Sequence, residues 1–299
     1  MQIKTRPPQP SAPSAPSAPP SAAHEGTTTA STIATGAGSA GAWIPSGADI
    51  SHPAPPRNDL PIVDLVTAQS HPSIDGCQWA SKRLAEITQL TRIGVPVVVV
   101  FDLDNTLFDT RHRTLHAART FDAENGTGHF DRASVSAMGV DAFDTGSKLG
   151  LAAAVVEAFT AFWERSFFTP AHLAHDVPIS PMVDLVHRAQ AAGATVKFLS
   201  GRCENFHSES LKQLHRAGVD AAAADVVCKL DVSVNTQAFK EQHIKAWSSS
   251  SELGFFVTEG TRDLRHLQAC LPDVPLLRLG CSFEDPAGLA RVPLWPAVF

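Results

Sequence analysis

The sequence predicts an α/β fold, a doubly wound parallel sheet with a helical insertion after its first strand. Three observations predict it. Residues 95–101, "VPVVVVF", form a short, β-branched, continuously apolar run, as expected of a strand buried on both faces. From Ile179 onward, short apolar runs alternate with segments of helical periodicity, the pattern of consecutive β-α units. Between these regions, residues 111–175 lose the alternation and are mostly helical in character.

Taken in order, residues 1–58 are rich in Pro, Ala, Ser, Thr and Gly and include the repeat "SAPSAPSAPPSAA". They hold too few large apolar side chains to offset ordering entropy and read as a disordered, partly polyproline-like extension. The core is expected over 59–110 and 176–299, with order starting near Leu60. Trp79, Leu84, Ile87 and Leu90 have helical spacing, and Gly94 is placed to end that helix. Within 111–175, "LAAAVVEAFTAFWERSFF" is the clearest helix, with Val155, Phe159 and Phe162 on one side; an aromatic stripe of this kind is read as core. Next come a helix with Ser180 as its cap and Pro181 at its first position, the strand "ATVKFLSG", the helix "SESLKQLHRAG" and the strand "DVVCKL". The helix "TQAFKEQHIKAWSS", the strand "GFFVTEG", the helix "TRDLRHLQACL" and the strand "VPLLRLG" complete the pattern. Ligands of such sheets bind beyond the carboxyl ends of the strands, and Asp102, Ser200 and Glu259 fall there.

Composition narrows the function. The net charge of -6, with Lys and Arg scattered, argues against a nucleic-acid surface. No apolar run approaches the roughly 20 residues of a membrane span, and no apolar segment follows the basic N-terminal residues as in a secretory signal. The five cysteines are far apart, odd in number and without a CxxC pair. They read as reduced, mostly buried thiols of a cytoplasmic protein, without the close spacing of a zinc site. His112, His116 and His207 likewise lack a metal-ligand pattern and read as satisfied or solvated side chains.

The apolar strand runs into "DLDNT", which places Asp102 and Asp104 two positions apart at its end. Like charges there call for a cation or a divided task. The motif resembles the DxDxT of the haloacid dehalogenase superfamily. "FLSGR" resembles its second motif, "FKEQHI" its lysine-bearing third and "FFVTEGTRDL" its acidic fourth, in the family's order.

The resemblance implies a Rossmann-like core, with residues 111–175 as a helical cap, and a site built from six residues. Asp102 would be the nucleophile that forms an aspartyl-phosphate. Asp104 would protonate the leaving oxygen and then activate water. Ser200 would donate to a phosphoryl oxygen, and Lys240 would neutralise phosphate charge, with Lys229 as its competitor. Mg2+ would be held by Asp102, the Asp104 carbonyl and Glu259, with Asp263 in support or serving as a helix-start acid. The fourth motif departs from the common form, since its acids are spaced as ExxxD. Thr106 would brace the loop through side-chain to backbone bonds. Asp109 and Arg111 suggest a local turn or salt bridge, and Arg202 an anionic-substrate contact or a surface ion pair.

The implied activity is phosphohydrolysis of a small phosphorylated metabolite, because a cap large enough to cover a crevice favours small substrates. Dehalogenation would not need Asp104, and a phosphomutase would use the same aspartate pair. The alternative from another class is a degenerate member that binds a phosphorylated ligand or partner without turnover.

Overall fold

The computed structural model of the chain describes residues 74–280, 289 and 291–296. The expected extension over 1–58, the expected start of order near Leu60, and Cys281 lie outside the described residues.

Eight strands are described: β1 (Val97–Phe101), β2 (Phe108–Asp109), β3 (Val177–Pro178), β4 (Thr195–Cys203), β5 (Val226–Lys229), β6 (Glu252–Thr258), β7 (Leu276–Leu279) and β8 (Leu294–Trp295). Eight α-helices accompany them: α1 (Gly76–Arg92), α2 (Arg111–Asn125), α3 (Ala142–Lys148), α4 (Ala153–Phe167), α5 (Ser180–Ala191), α6 (His207–Arg216), α7 (Thr236–Ser248) and α8 (Thr261–Cys270). Six strands form one parallel sheet in the order β5-β4-β1-β6-β7-β8. The fold is therefore the α/β sheet that the alternation predicts.

β1 lies inside the sheet, and all five of its residues are buried. Successive side chains of a strand point to opposite faces. Val97, Val99 and Phe101 accordingly join the apolar cluster built with α1, α5 and α6, whereas Val98 and Val100 join the one built with α7 and α8. Two covered faces explain why the run shows no polar alternation. Close approach is needed where α1 crosses the sheet: a Cβ on Gly254 would lie 2.8 Å from Val99 and 2.9 Å from Ile87. Gly94 follows α1 at φ +82°, the left-handed conformation that suits a helix end.

Residues 111–175 contain α2, α3 and α4 around an apolar cluster of their own, in which Phe121, Phe130 and Phe159 pack ring on ring. Phe159, Trp163 and Phe167 are buried in this insertion, while Phe168 is exposed. The side of α4 that packs inward is Val156, Phe159, Trp163 and Phe167, one step from the predicted stripe. The two-residue antiparallel pair β2–β3 ties the outgoing and returning chains together.

Three local expectations change. Ser180 does not cap α5: the helix begins at Ser180 and its N-cap is Ile179, whose N–H is taken by the Leu107 carbonyl at 2.8 Å. The buried Ile179 side chain fixes the approach to that helix, so no hydroxyl cap is used. β8 is too short to stand out in the sequence and is defined by its pairing with β7. Of the four described cysteines, all free, only Cys228 is buried, and Cys270 is exposed. No helix among the described residues is long and apolar enough to cross a membrane.

Candidate active site

The carboxyl ends of β1 and β6 meet at Asp102. Its N–H continues the ladder onto the Val257 carbonyl at 3.0 Å. One carboxylate oxygen accepts from the Leu103 N–H at 2.8 Å. The other accepts from Lys240 Nζ at 2.6 Å and from Thr258 Oγ1 at 3.0 Å. Lys240, 2% exposed, comes from the first turns of α7 and also donates to Asp263 Oδ2 at 2.5 Å. The second Asp263 oxygen accepts from Gln237 Nε2, one turn earlier on α7, at 2.9 Å. Lys240 thus bridges an aspartate at the end of β1 and an aspartate in the first turn of α8.

The electrostatics follow from burial. Burial would lower the Lys240 pKa, but Asp102 and Asp263 outweigh it and hold the ammonium charged. Burial raises the Asp102 pKa, Asp263 adds to the rise, and Lys240 offsets only part of it. Glu259, the next residue after β6, is raised to about 7 by burial and then by Asp102 and Asp263. Three acids around one lysine leave an excess of negative charge, which hard oxygen donors would share with a divalent cation. The donor chemistry of Asp102 and Glu259 fits Mg2+. Asp263 spends both oxygens on Lys240 and Gln237, the arrangement of a support rather than a direct ligand.

The loop after β1 is fixed locally. Asn105 adopts φ +53°, tolerable for its short polar side chain, and its Oδ1 accepts from Thr110 Oγ1 at 2.7 Å. Thr106 Oγ1 accepts the Glu259 N–H at 3.1 Å. Thr106 therefore ties its loop to the end of β6 instead of closing a bond within its own loop.

Asp104 stands apart from the lysine cluster. Its Oδ1 accepts from Arg113 Nη2 at 2.6 Å and Arg202 Nη2 at 2.7 Å, and its Oδ2 accepts from Arg202 Nε at 3.1 Å. Arg113 belongs to α2 and Arg202 to β4; they are 1% and 3% exposed. Arg113 Nε also donates to Asp176 Oδ1 at 2.9 Å, and Gln213 Nε2 donates to Asp176 Oδ2 at 2.9 Å. Burial alone would raise the Asp104 pKa, but Arg202 and Arg113 outweigh it and hold the carboxyl well below its usual range. Burial pushes Asp176 the other way, to about 6. Arg202 is thus neither a surface ion pair nor open to substrate, because its guanidinium is enclosed by Asp104, Asp176, Ser210 and Gln213.

Ser200 is fully buried, two residues beyond the pairing of Phe198 with Phe101, and its Oγ accepts the Arg202 N–H at 3.2 Å. Gly201 faces the start of α7, where a Cβ would lie 3.1 Å from Thr236. Lys229 is directed elsewhere: its Nζ donates to the Val234 carbonyl and to Thr236 Oγ1, both at 3.1 Å. Asp109 and Arg111 form a local two-bond pair at 2.8 and 2.7 Å. Thr258, Gln237, Arg113 and Asp176 were not distinguishable in the sequence, because each acquires its partner only through tertiary packing.

No family model and no curated protein matches the chain. Solved structures do resemble it. Protein tyrosine kinase A of Mycobacterium tuberculosis is 16% identical, with a TM-score of 0.47, over 69% of this chain and 95% of that one. A haloacid dehalogenase-like family hydrolase from Streptococcus pneumoniae is 12% identical, TM-score 0.47, over 67% and 93%. A superfamily hydrolase of subfamily IA from Geobacter sulfurreducens is 13% identical, TM-score 0.41, over 63% and 92%. These likenesses concern the path of the chain; the chemistry lies in the side chains described above.

Proposed function

We propose that this chain is a haloacid dehalogenase-type phosphohydrolase of a small phosphorylated metabolite, Mg2+-dependent and cytoplasmic, with no nucleic-acid or membrane partner. The observation that carries the reading is the Lys240 ammonium bridging Asp102 and Asp263 at the end of the central strand. A carboxylate at the carboxyl end of an interior strand, with a buried cation against it, is arranged to meet an anionic group.

In this reading an Asp102 oxygen attacks phosphorus, and the bond from phosphorus to the ester oxygen breaks with its electron pair. Water then attacks phosphorus, releasing inorganic phosphate and regenerating the carboxylate. Lys240 orients Asp102 and offsets phosphoryl charge, and Ser200 and the Gly201 amide supply neutral donors. Thr258 holds Asp102 in one rotamer. When bound by Asp102, the Asp104 carbonyl and Glu259, with Asp263 behind them, Mg2+ supplies charge neutralisation that lets a carboxylate approach a phosphate dianion. Asp104 is assigned proton transfer, which requires it to exchange its arginine contacts for the leaving oxygen.

That last requirement favours a second reading, phosphorylated-ligand binding without turnover, since a carboxylate held by two guanidiniums is a poor acid as it stands. Aryl phosphate hydrolysis with and without Mg2+, beside Asp102→Asn, separates the two. Metal-dependent phosphate release lost in Asp102→Asn is the expected result. A folded protein that releases no phosphate from a broad metabolite panel would favour the binding reading.

A further inference from the structure

We propose that Glu241, His266 and Cys270 form a separate site for a borderline-soft divalent ion such as zinc, clamping α7 to α8. His266 and Cys270 are four residues apart on α8, so they share one helix face, and Glu241 reaches them from α7. Among the described residues this is the trio of His, Cys and acidic side chains whose ligand atoms all lie within 4.8 Å of one another.

His266 Nε2 is 2.7 Å from Glu241 Oε2 and 3.9 Å from Cys270 Sγ. Zinc binds imidazole nitrogen at about 2.0–2.1 Å and thiolate at about 2.3 Å, so tetrahedral ligands stand roughly 3.3–3.7 Å apart. The His–Cys gap is close to that spacing. The His–Glu gap would open by roughly half an ångström as the ion replaces the shared proton. The other Glu241 oxygen is already paired with Lys245, which orients the carboxylate and leaves Oε2 for the ion. Imidazole and thiol select zinc over magnesium, so this site is chemically distinct from the hard-oxygen cluster at Asp102. Three protein ligands leave a fourth position for water. Binding requires the thiolate form of Cys270 and a lone pair on His266 Nε2, so zinc affinity falls in acid.

The placement gives the ion something to brace. Glu241 follows Lys240 on α7, and His266 lies one turn after Asp263 on α8. A metal link there would hold together the two helices that supply the Lys240–Asp263 pair. This inference is independent of the reaction proposed above.

The test is a cobalt(II) titration of the full chain in excess Mg2+, read by absorbance. One equivalent should bind with a thiolate-to-cobalt charge-transfer band, and zinc should displace it. Cys270→Ser should abolish the band, and Glu241→Gln should weaken zinc affinity by about tenfold or more. Cys270 is exposed, so its serine variant should keep the native circular dichroism spectrum, which checks that loss of the band is not loss of fold. No charge-transfer band, or a band that survives Cys270→Ser, overturns the proposal.

Discussion

Replacing Asp104 with asparagine removes one charge from a group of four, the other three of them buried, while keeping its shape. Arg113 and Arg202 now face Asp104 and Asp176, two cations against two anions. In Asp104→Asn only the Asp176 carboxylate remains to offset both guanidiniums, which have almost no access to water. Breaking a buried pair from one side costs about 3–5 kcal/mol, because the partner is left desolvated. The Asp104 side chain is 30% exposed, so water can partly replace it, and the lower end, about 3 kcal/mol, is expected. For a domain of this size each kcal/mol moves Tm by about 2–4 °C, which gives a fall of about 6–12 °C. Urea unfolding of Asp104→Asn, Arg113→Met and the double variant measures it. The double variant should cost less than the sum of the singles, because each removes a partner of the other. An Asp104→Asn midpoint that implies less than about 1 kcal/mol, the worth of an exposed pair, would show that the two buried guanidiniums do not depend on this carboxylate.

Two further outcomes follow from the lysine cluster. Lys240→Met should lower kcat/KM for phosphate release by about 10²–10³-fold, the usual effect of losing one aligned charge donor, whereas Lys229→Met should change it by less than about tenfold. Equal losses in the two variants would place the required cation elsewhere. In metal-free protein, Glu259 binds its proton up to about pH 7 when folded, against an ordinary value of 4.5. The folded state therefore holds more protons in that window, and stability falls as pH rises through it. Glu259→Gln stays neutral throughout, so its stability relative to wild type should climb between those pH values and level off above; a flat or falling difference contradicts the assignment.

The strands and the acid-bearing motifs were legible because local patterns carry them. A run of valines between two helix layers needs no distant partner to be recognised, and Asp102, Lys240 and Asp263 lie at strand or helix beginnings and ends that the alternation already marks. What could not be read is pairing across the fold. Arg113 and Arg202 are 89 residues apart in number, yet they enclose one aspartate, and nothing local distinguishes them from surface arginines. Thr258 looked like an ordinary strand residue until β6 aligned beside β1. Cysteine spacing alone gave no metal pattern, because the partners of Cys270 are a histidine one turn away and a glutamate on another helix.

The claim on which the functional reading depends is that Asp102 carries the phosphoryl group. Acid-quenched protein, taken during turnover of an aryl phosphate with Mg2+ and digested for mass spectrometry, tests it directly. A phosphoryl adduct is expected on the peptide containing Asp102, absent in Asp102→Asn. Steady phosphate release with no adduct on that peptide, or with Asp102→Asn fully active, would contradict it.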